Sequence, residues 1–370
     1  MEKKLKHELI KNVGWNFYST LINRIGALIF IILIARVLQP ESYGVYTLVL
    51  SVALFFMTFA DLGINTTLIR YLSYSLAEEK KKAATYYRYL FKVKFLLTLL
   101  VSLLLLFLSY PLAFLLFKKP ILFLPLLVSS VYIFIFSFEG FFSQFFFIIK
   151  KVKYYAIKEM ISQAGRIFFV ILFFYFVSQA YKIVGIFAAL ILASFIVTIY
   201  SFVFAKKEMP QIFVKPKKKI NIIEKKRIKK FVGYLVVGSI SAIFFSYIDA
   251  IMLGFFLPTT EYIGYYKAAF SLIFSAAAFF SFGTVLLPYL TQFNKKNLIV
   301  KLEKILYLTA VLVIPAFFGV AILSNYFLKF FYGQAYLPGT LLLQILSLLI
   351  IEIPFTTLLS TLFTAKEQPQ

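Results

Sequence analysis

The sequence predicts an all-α, polytopic membrane bundle of about ten transmembrane helices, and three observations carry that prediction. The composition is 62% hydrophobic with a mean hydropathy of +0.90, well above the roughly even balance of a soluble domain. Apolar runs recur along the chain; they exceed the roughly 20 residues a spanning helix needs and are too long for barrel strands. The 39 Lys and Arg residues, which give a net charge of +24, gather in alternate connections between those runs.

Taken in order, the spans lie at roughly 12–36, 44–68, 94–117, 121–148, 159–179, 183–204, 231–256, 264–290, 303–325 and 339–365. The first follows MEKKLKHELIK (1–11), a charged opening whose next run is too long for a signal-peptide h-region. It stops near Pro40, and the second span ends in ADLGIN (60–65). The third begins after the basic stretch 69–94, Lys118 and Lys119 mark the turn into the fourth, and 149–158 leads to the fifth. Lys182 precedes the sixth. KPKKKINIIEKKRIKK (215–230) joins the sixth to the seventh, either as a solvated linker that fixes orientation or as a segment lying against anionic headgroups. LPTTEYIGYY (257–266) leads into the eighth span, 291–304 into the ninth and FYGQAYLPG (331–339) into the tenth. Pro111, Pro125, Pro288, Pro315 and Pro354 fall within or at the ends of spans, where membrane helices tolerate them.

One set of alternate connections holds 31 of the Lys and Arg residues, the other holds 6, and Arg24 and Arg166 lie inside spans. Under the positive-inside rule both termini are cytoplasmic. The basic charge therefore reads as a topology signal, and nucleic acid is excluded as a partner. The chain has no cysteine, which removes disulfides and thiolate metal sites.

The segment LQPESYGVY (38–46) recurs as LPTTEYIGYY (257–266). NVGWNF (12–17) resembles FVGYLV (231–236), Gly14 to Gly44 is 30 residues, and Gly233 to Gly264 is 31. Six spans separate the copies, an even number, so both enter from the same face as a parallel repeat; transporters of alternating-access type are often built this way. Within the hinge, Pro40 and Pro258 cannot continue a helix, while Gly44 and Gly264 admit sharp turns or close packing. The expected organisation is an N-terminal lobe of six spans (1–204), a basic linker (205–230) and a partial C-terminal lobe of four spans (231–370). A six-span unit implies six in the second lobe, so the chain reads as a C-terminally shortened fragment, with a naturally short lobe as the alternative.

RVLQPESYGVYTLVLSVALFFMTFADLGINTTLIRY (36–71), YIDAIMLGFFLPTTEYIGYYKAAFSL (247–272), SFGTVLLPYLTQ (281–292) and FYGQAYLPGTLLLQILSLL (331–349) together resemble the polysaccharide-biosynthesis flippases. These are the O-antigen-type exporters of the multidrug/oligosaccharidyl-lipid/polysaccharide superfamily, which also contains the MATE transporters. The resemblance implies two helical lobes around a cavity that opens alternately to each side. It also implies transfer of an undecaprenyl-pyrophosphate-linked oligosaccharide from the cytoplasmic to the outer leaflet of the cytoplasmic membrane. The partners implied are the lipid-linked oligosaccharide, membrane lipids, and a glycan polymerase or glycosyltransferases; no cofactor and no metal are expected.

A mid-membrane charge costs about 2.5–3.5 kcal/mol on insertion scales, so each needs a reason. Arg24 falls near the midplane of the first span and reads as a cavity cation gripping the pyrophosphate, since Arg offers a forked donor set; a structural ion pair is the alternative. The resemblance supports the first reading, because relatives that flip peptidoglycan precursor carry cavity cations on their first, second and eighth spans. Lys267 begins the eighth span here, as a second cavity cation or a headgroup contact; the second span has no basic counterpart before Arg70. Arg166, with Gln163 at helical spacing, is a third candidate or snorkels to the interface. The intramembrane acids are Asp249, Asp61, Glu139 and Glu352. Asp249 in YIDAIML reads as a carrier of a proton or coupling ion or as a partner of Arg24 or Arg166. Asp61 reads as part of a helix distortion, and Glu139 and Glu352, beside Gly140 and Pro354, read as acids at bends.

His7 is the only histidine, so Ser–His catalysis and His-rich metal sites are excluded. No GxxxxGK[ST] occurs, so the fuel is expected to be a gradient rather than ATP, and no enzymatic activity is expected. Connections of about 4–14 residues on the sparse face argue against a glycan polymerase or glycosyltransferase, whose catalytic groups sit on large external loops. The remaining alternatives are a cation-coupled multidrug exporter of the same superfamily and an inactive scaffold fragment.

Overall fold

The computed structural model describes residues 2–215, 220–280 and 295–365. Among them the long elements are all α-helices: α1 Glu2–Asp61, α2 Ile64–Glu78, α3 Lys80–Pro111, α4 Phe123–Ile148, α5 Val152–Phe176, α6 Lys182–Glu208, α7 Ile222–Phe256, α8 Glu261–Phe279, α9 Lys295–Ile322, α10 Ser324–Phe331, α11 Thr340–Leu346 and α12 Leu349–Ala365. SFGTVLLPYLTQ (281–292), with Pro288, lies outside the described residues. The protein is an all-α polytopic membrane bundle. Six helical stretches among the described residues are long and apolar enough to cross a membrane, and a bent pair, Gln334–Leu346 and Leu349–Phe363 at 42°, makes a seventh. That count falls below ten partly because its first stretch, Gly14–Glu78, would measure about 100 Å if straight, far more than one crossing.

The break in that stretch follows from sequence. Pro40 disfavours helical backbone in the residue before it, and Gln39 sits at φ 62. Proline also has no N–H for the Arg36 carbonyl, and Gln39 Nε2 donates to that oxygen instead at 2.9 Å. A second break falls in ADLGIN, where Leu62 and Gly63 have φ 42 and φ 75. Contrary to the expectation of a bend beside Glu139, α4 runs unbroken through Gly140. Near Glu352 the bend falls at Ser347 and Leu348, between α11 and α12, rather than at Pro354.

The chain forms two compact units, Met1–Phe30 with Val45–Pro258, and Ile31–Gly44 with Thr259–Gln370. The lobes expected from span counting draw their boundaries elsewhere: α7 belongs to the first unit by contact, and the 31–44 segment to the second. In the first unit α4 is central, packing on α6, α3, α2 and α5. Its core interleaves Ile64, Leu68 and Leu72 of α2, Tyr87 and Leu90 of α3, and Phe138, Phe141, Phe142 and Phe145 of α4. These residues recur every three or four positions and so share a helix face. Apolar burial gives little drive between helices in lipid, so packing and hydrogen bonds hold them. Thr98 and Ser137 hydroxyls meet at 3.0 Å, and Ser102 Oγ donates to the Ser130 carbonyl at 2.6 Å. Lys119 Nζ donates to the Gly254 and Leu257 carbonyls at 2.8 Å each, closing the C-terminal end of α7. At the opposite end of α7, Glu224 accepts from Lys82, Tyr86 and the Asn221 backbone. Partial burial opposes ionisation, yet these bonds hold its carboxyl below the usual value of 4.5.

In the second unit the two hinge copies meet. A Cβ on Gly44 would stand 1.8 Å from the Thr260 carbonyl oxygen, and one on Gly264 would stand 2.0 Å from that of Pro40. Positions 40 and 260, like 44 and 264, are 220 apart, so one contact is made twice about a local two-fold. This register pairs Pro40 with Thr260 and leaves Pro258 just outside the repeated contact. Thr260 Oγ1 adds a bond to the Glu41 carbonyl at 3.0 Å. Buried Tyr336 lies edge-on to Tyr43 and Tyr265, and its hydroxyl donates to the Ala35 carbonyl at 2.9 Å. Arg36 donates to the Phe330 and Phe331 carbonyls and so caps α10.

Candidate functional site

The site grows from a polar stripe on α1. Asn16, Ser19, Thr20, Asn23 and Arg24 recur at helical spacing, so they share one face of an otherwise apolar span. With Tyr155 and Glu159 of α5 they line a cleft of about 200 Å³, and Arg24 is exposed in it. The hydroxyls of Ser19 and Thr20 donate to the Asn16 carbonyl at 2.8 and 2.9 Å, which spares them a desolvation penalty inside a membrane helix.

Continuing inward from Glu159, α5 presents Lys158, Glu159, Ser162, Gln163 and Arg166 on one face. Lys158 is 7% exposed, Glu159 3% and, across on α4, Glu139 1%. Lys158 Nζ bridges the two carboxylates, 2.8 Å from Glu139 and 3.0 Å from Glu159. The second oxygen of Glu159 accepts from Asn23 Nδ2 at 2.8 Å, which ties the charge cluster to the α1 stripe. Gln163 packs where Gly26 leaves room: a Cβ there would stand 2.6 Å from its Cγ. The Arg166 guanidinium lies 5.6 Å over the Phe136 ring and faces Tyr132, Glu139, Glu159 and Tyr46 electrostatically. Glu139 Oε2, both ends of the Gln163 amide and Arg166 Nε have no protein hydrogen-bond partner. The arrangement can engage a polar or anionic group along α1.

Of the residues singled out in the sequence, Arg24, Glu139 and Arg166 join this assembly, all within the first unit. Asp61 pairs instead with Lys94, whose Nζ lies 3.0 Å from its carboxylate and 3.1 Å from the Ala60 carbonyl. Asp249 is half-buried on α7. Lys267 is in the second unit, 5.3 Å from the ring centres of Tyr266 and Phe270. Glu352 is exposed on α12, and Pro40, Gly44 and Gly264 form the hinge contact, with Pro258 just outside it. Sequence reasoning missed Lys158 and Glu159 by assigning Lys158 to a connection. α5 begins at Val152, so Lys158 is nearly two turns inside it, and its spacing from Ser162 and Arg166 was a legible signal. The α1 stripe was equally legible and equally overlooked beyond Arg24.

Comparison with known proteins adds a second line. Residues 9–294 match the pattern of the family described as "Polysaccharide biosynthesis protein". An uncharacterized membrane protein of Methanocaldococcus jannaschii is 22% identical over 362 residues, 92% of this chain and 70% of the relative. A probable low-salt glycan biosynthesis flippase of Haloferax volcanii is 29% identical over 123 residues, 31% of this chain and 25% of the relative. Among solved structures, the lipid II flippase MurJ in an inward closed conformation matches with a TM-score of 0.72 at 19% identity, over 97% of this chain and 77% of that one. An inward-facing multidrug resistance MATE family transporter of the MOP superfamily matches with a TM-score of 0.69 at 14% identity, over 94% of this chain and 81% of that one. The two likenesses establish a shared helical fold.

Proposed function

The chain belongs to the polysaccharide biosynthesis protein family, and from that premise we propose that it flips a lipid-linked oligosaccharide, of undecaprenyl-pyrophosphate type, across the cytoplasmic membrane. The observation that carries the proposal is Arg24, exposed in a cleft lined by hydroxyl and amide side chains of α1. A guanidinium pairs two donors with a phosphate oxyanion, and the amides and hydroxyls around it suit sugar or phosphate oxygens. Arg166 and Lys267 are the further cations of this reading; Asp249, Glu139, Asp61 and Glu352 are its candidate coupling acids, driven by an ion or substrate gradient. Two lobes rocking in alternating access, both termini in the cytoplasm, and supply of cargo by glycosyltransferases complete it. The relative from Haloferax volcanii, named as a glycan biosynthesis flippase, supports the cargo class.

Complementation of a flippase-deficient strain tests the proposal. Arg24→Ala is expected to abolish export at unchanged protein level, and Arg24→Lys to retain part of it. Full export by the Ala variant would end the role given to Arg24. The likeness to a MATE transporter favours one second reading, a cation-coupled multidrug exporter. It predicts that lipophilic cations rather than diphosphate lipids compete for the cleft.

A further inference from the structure

We infer that Lys158 is the positioning cation that keeps the cleft receptive to a diphosphate by neutralising the acid in its wall. The inference rests on the cargo reading above and adds to it a residue that never touches the cargo. Glu159 lines the cleft beside Arg24, and an ionised carboxylate there opposes an anionic ligand. Its two oxygens are taken up by Lys158 at 3.0 Å and Asn23 at 2.8 Å. The same ammonium holds Glu139 at 2.8 Å, the acid that otherwise faces Arg166. One buried lysine thus occupies two carboxylates.

The charge count shows what this achieves. Arg24, Lys158 and Arg166 set against Glu139 and Glu159 leave one net positive charge. Without Lys158 the balance is zero, and both carboxylates turn their field on the two guanidiniums. In a poorly screened interior such a change acts strongly on a dianion. The other groups facing the cluster from packed elements are Tyr155 of α5, Tyr132 of α4 and Tyr46 of α1, which carry no charge near neutrality.

The test is the affinity of the purified full chain in detergent for farnesyl diphosphate, with melting recorded for every variant. Lys158→Met is expected to weaken binding at least tenfold, and Lys158→Met/Glu159→Gln to regain most of it. Glu159→Gln alone keeps the Lys158–Glu139 pair, so it stays folded even where Lys158→Met does not, and it is expected to tighten binding several-fold. Unchanged binding by Lys158→Met, or unchanged or weaker binding by a folded Glu159→Gln, overturns the inference and leaves the cargo reading standing. A wild-type chain that ignores farnesyl diphosphate overturns the cargo reading first and this inference with it.

Discussion

Lys94 and Asp61 show what a charge inside this bundle costs away from the cleft of α1 and α5. Lys94 is fully buried, with its ammonium held by Asp61 and the Ala60 carbonyl. Breaking a buried pair by removing one partner costs far more than replacing both. Lys94→Met is expected to destabilise the folded protein by about 3 kcal/mol, and Lys94→Met/Asp61→Asn to recover much of that, as read by thermal melting in detergent. A recovery would assign Asp61 to architecture; a loss of export in a fully stable double variant would return it to the coupling acids. At this scale the sequence was half legible. A charge within an apolar run announces itself, as Arg24 and Arg166 did. A charge near the mouth of a span, such as Lys94 or Lys158, looks the same whether it is solvated or folded inward, because only the neighbouring helix decides.

The helices themselves were legible wherever an apolar run was long, and their breaks wherever proline or glycine dictated them. Pro40 ends one span through a defined bond exchange at Arg36, and ADLGIN breaks where Gly63 permits it. The bends expected at Gly140 and Pro354 did not materialise there: a glycine in a well-packed helix keeps its hydrogen bonds, Pro354 sits inside α12, and the break lies at Ser347 and Leu348. The hinge glycines were visible as a repeat, but their purpose needed coordinates: each lies against a backbone carbonyl of the other copy. Gly44→Ala is expected to cost about 3 kcal/mol, at the upper end for overpacking, because its neighbour is backbone and cannot swing away. Gly14→Ala, inside α1 with nothing within 4 Å of the added carbon, is expected to stabilise by up to about 1 kcal/mol. Paired melting curves check both.

Over the whole molecule, fold class and family were available from composition, run length and motif order, and the comparisons agree with them. The division into units was not, since contact groups the 31–44 segment with the later helices while span counting cannot see contacts. The charge asymmetry also needs refinement: Lys94 and Lys158, counted with the basic face, are buried, and Arg36 and Lys119 on the sparse face bond to helix-end carbonyls. The bias survives these changes, so orientation is expected to follow it. Because the chain has no cysteine, Tyr181→Cys and Lys207→Cys, at opposite ends of α6 and both exposed, report it directly: an impermeant thiol reagent should label the first in intact cells and not the second. The paired hinge contact carries one more implication. A surface that fits itself under a half-turn is what two identical chains use to dimerise, and here both sides are written into one polypeptide. Selection on Gly44 and Gly264 is therefore joined, and a bulkier residue at either has no side-chain remedy opposite it, because what it meets is the other copy's backbone.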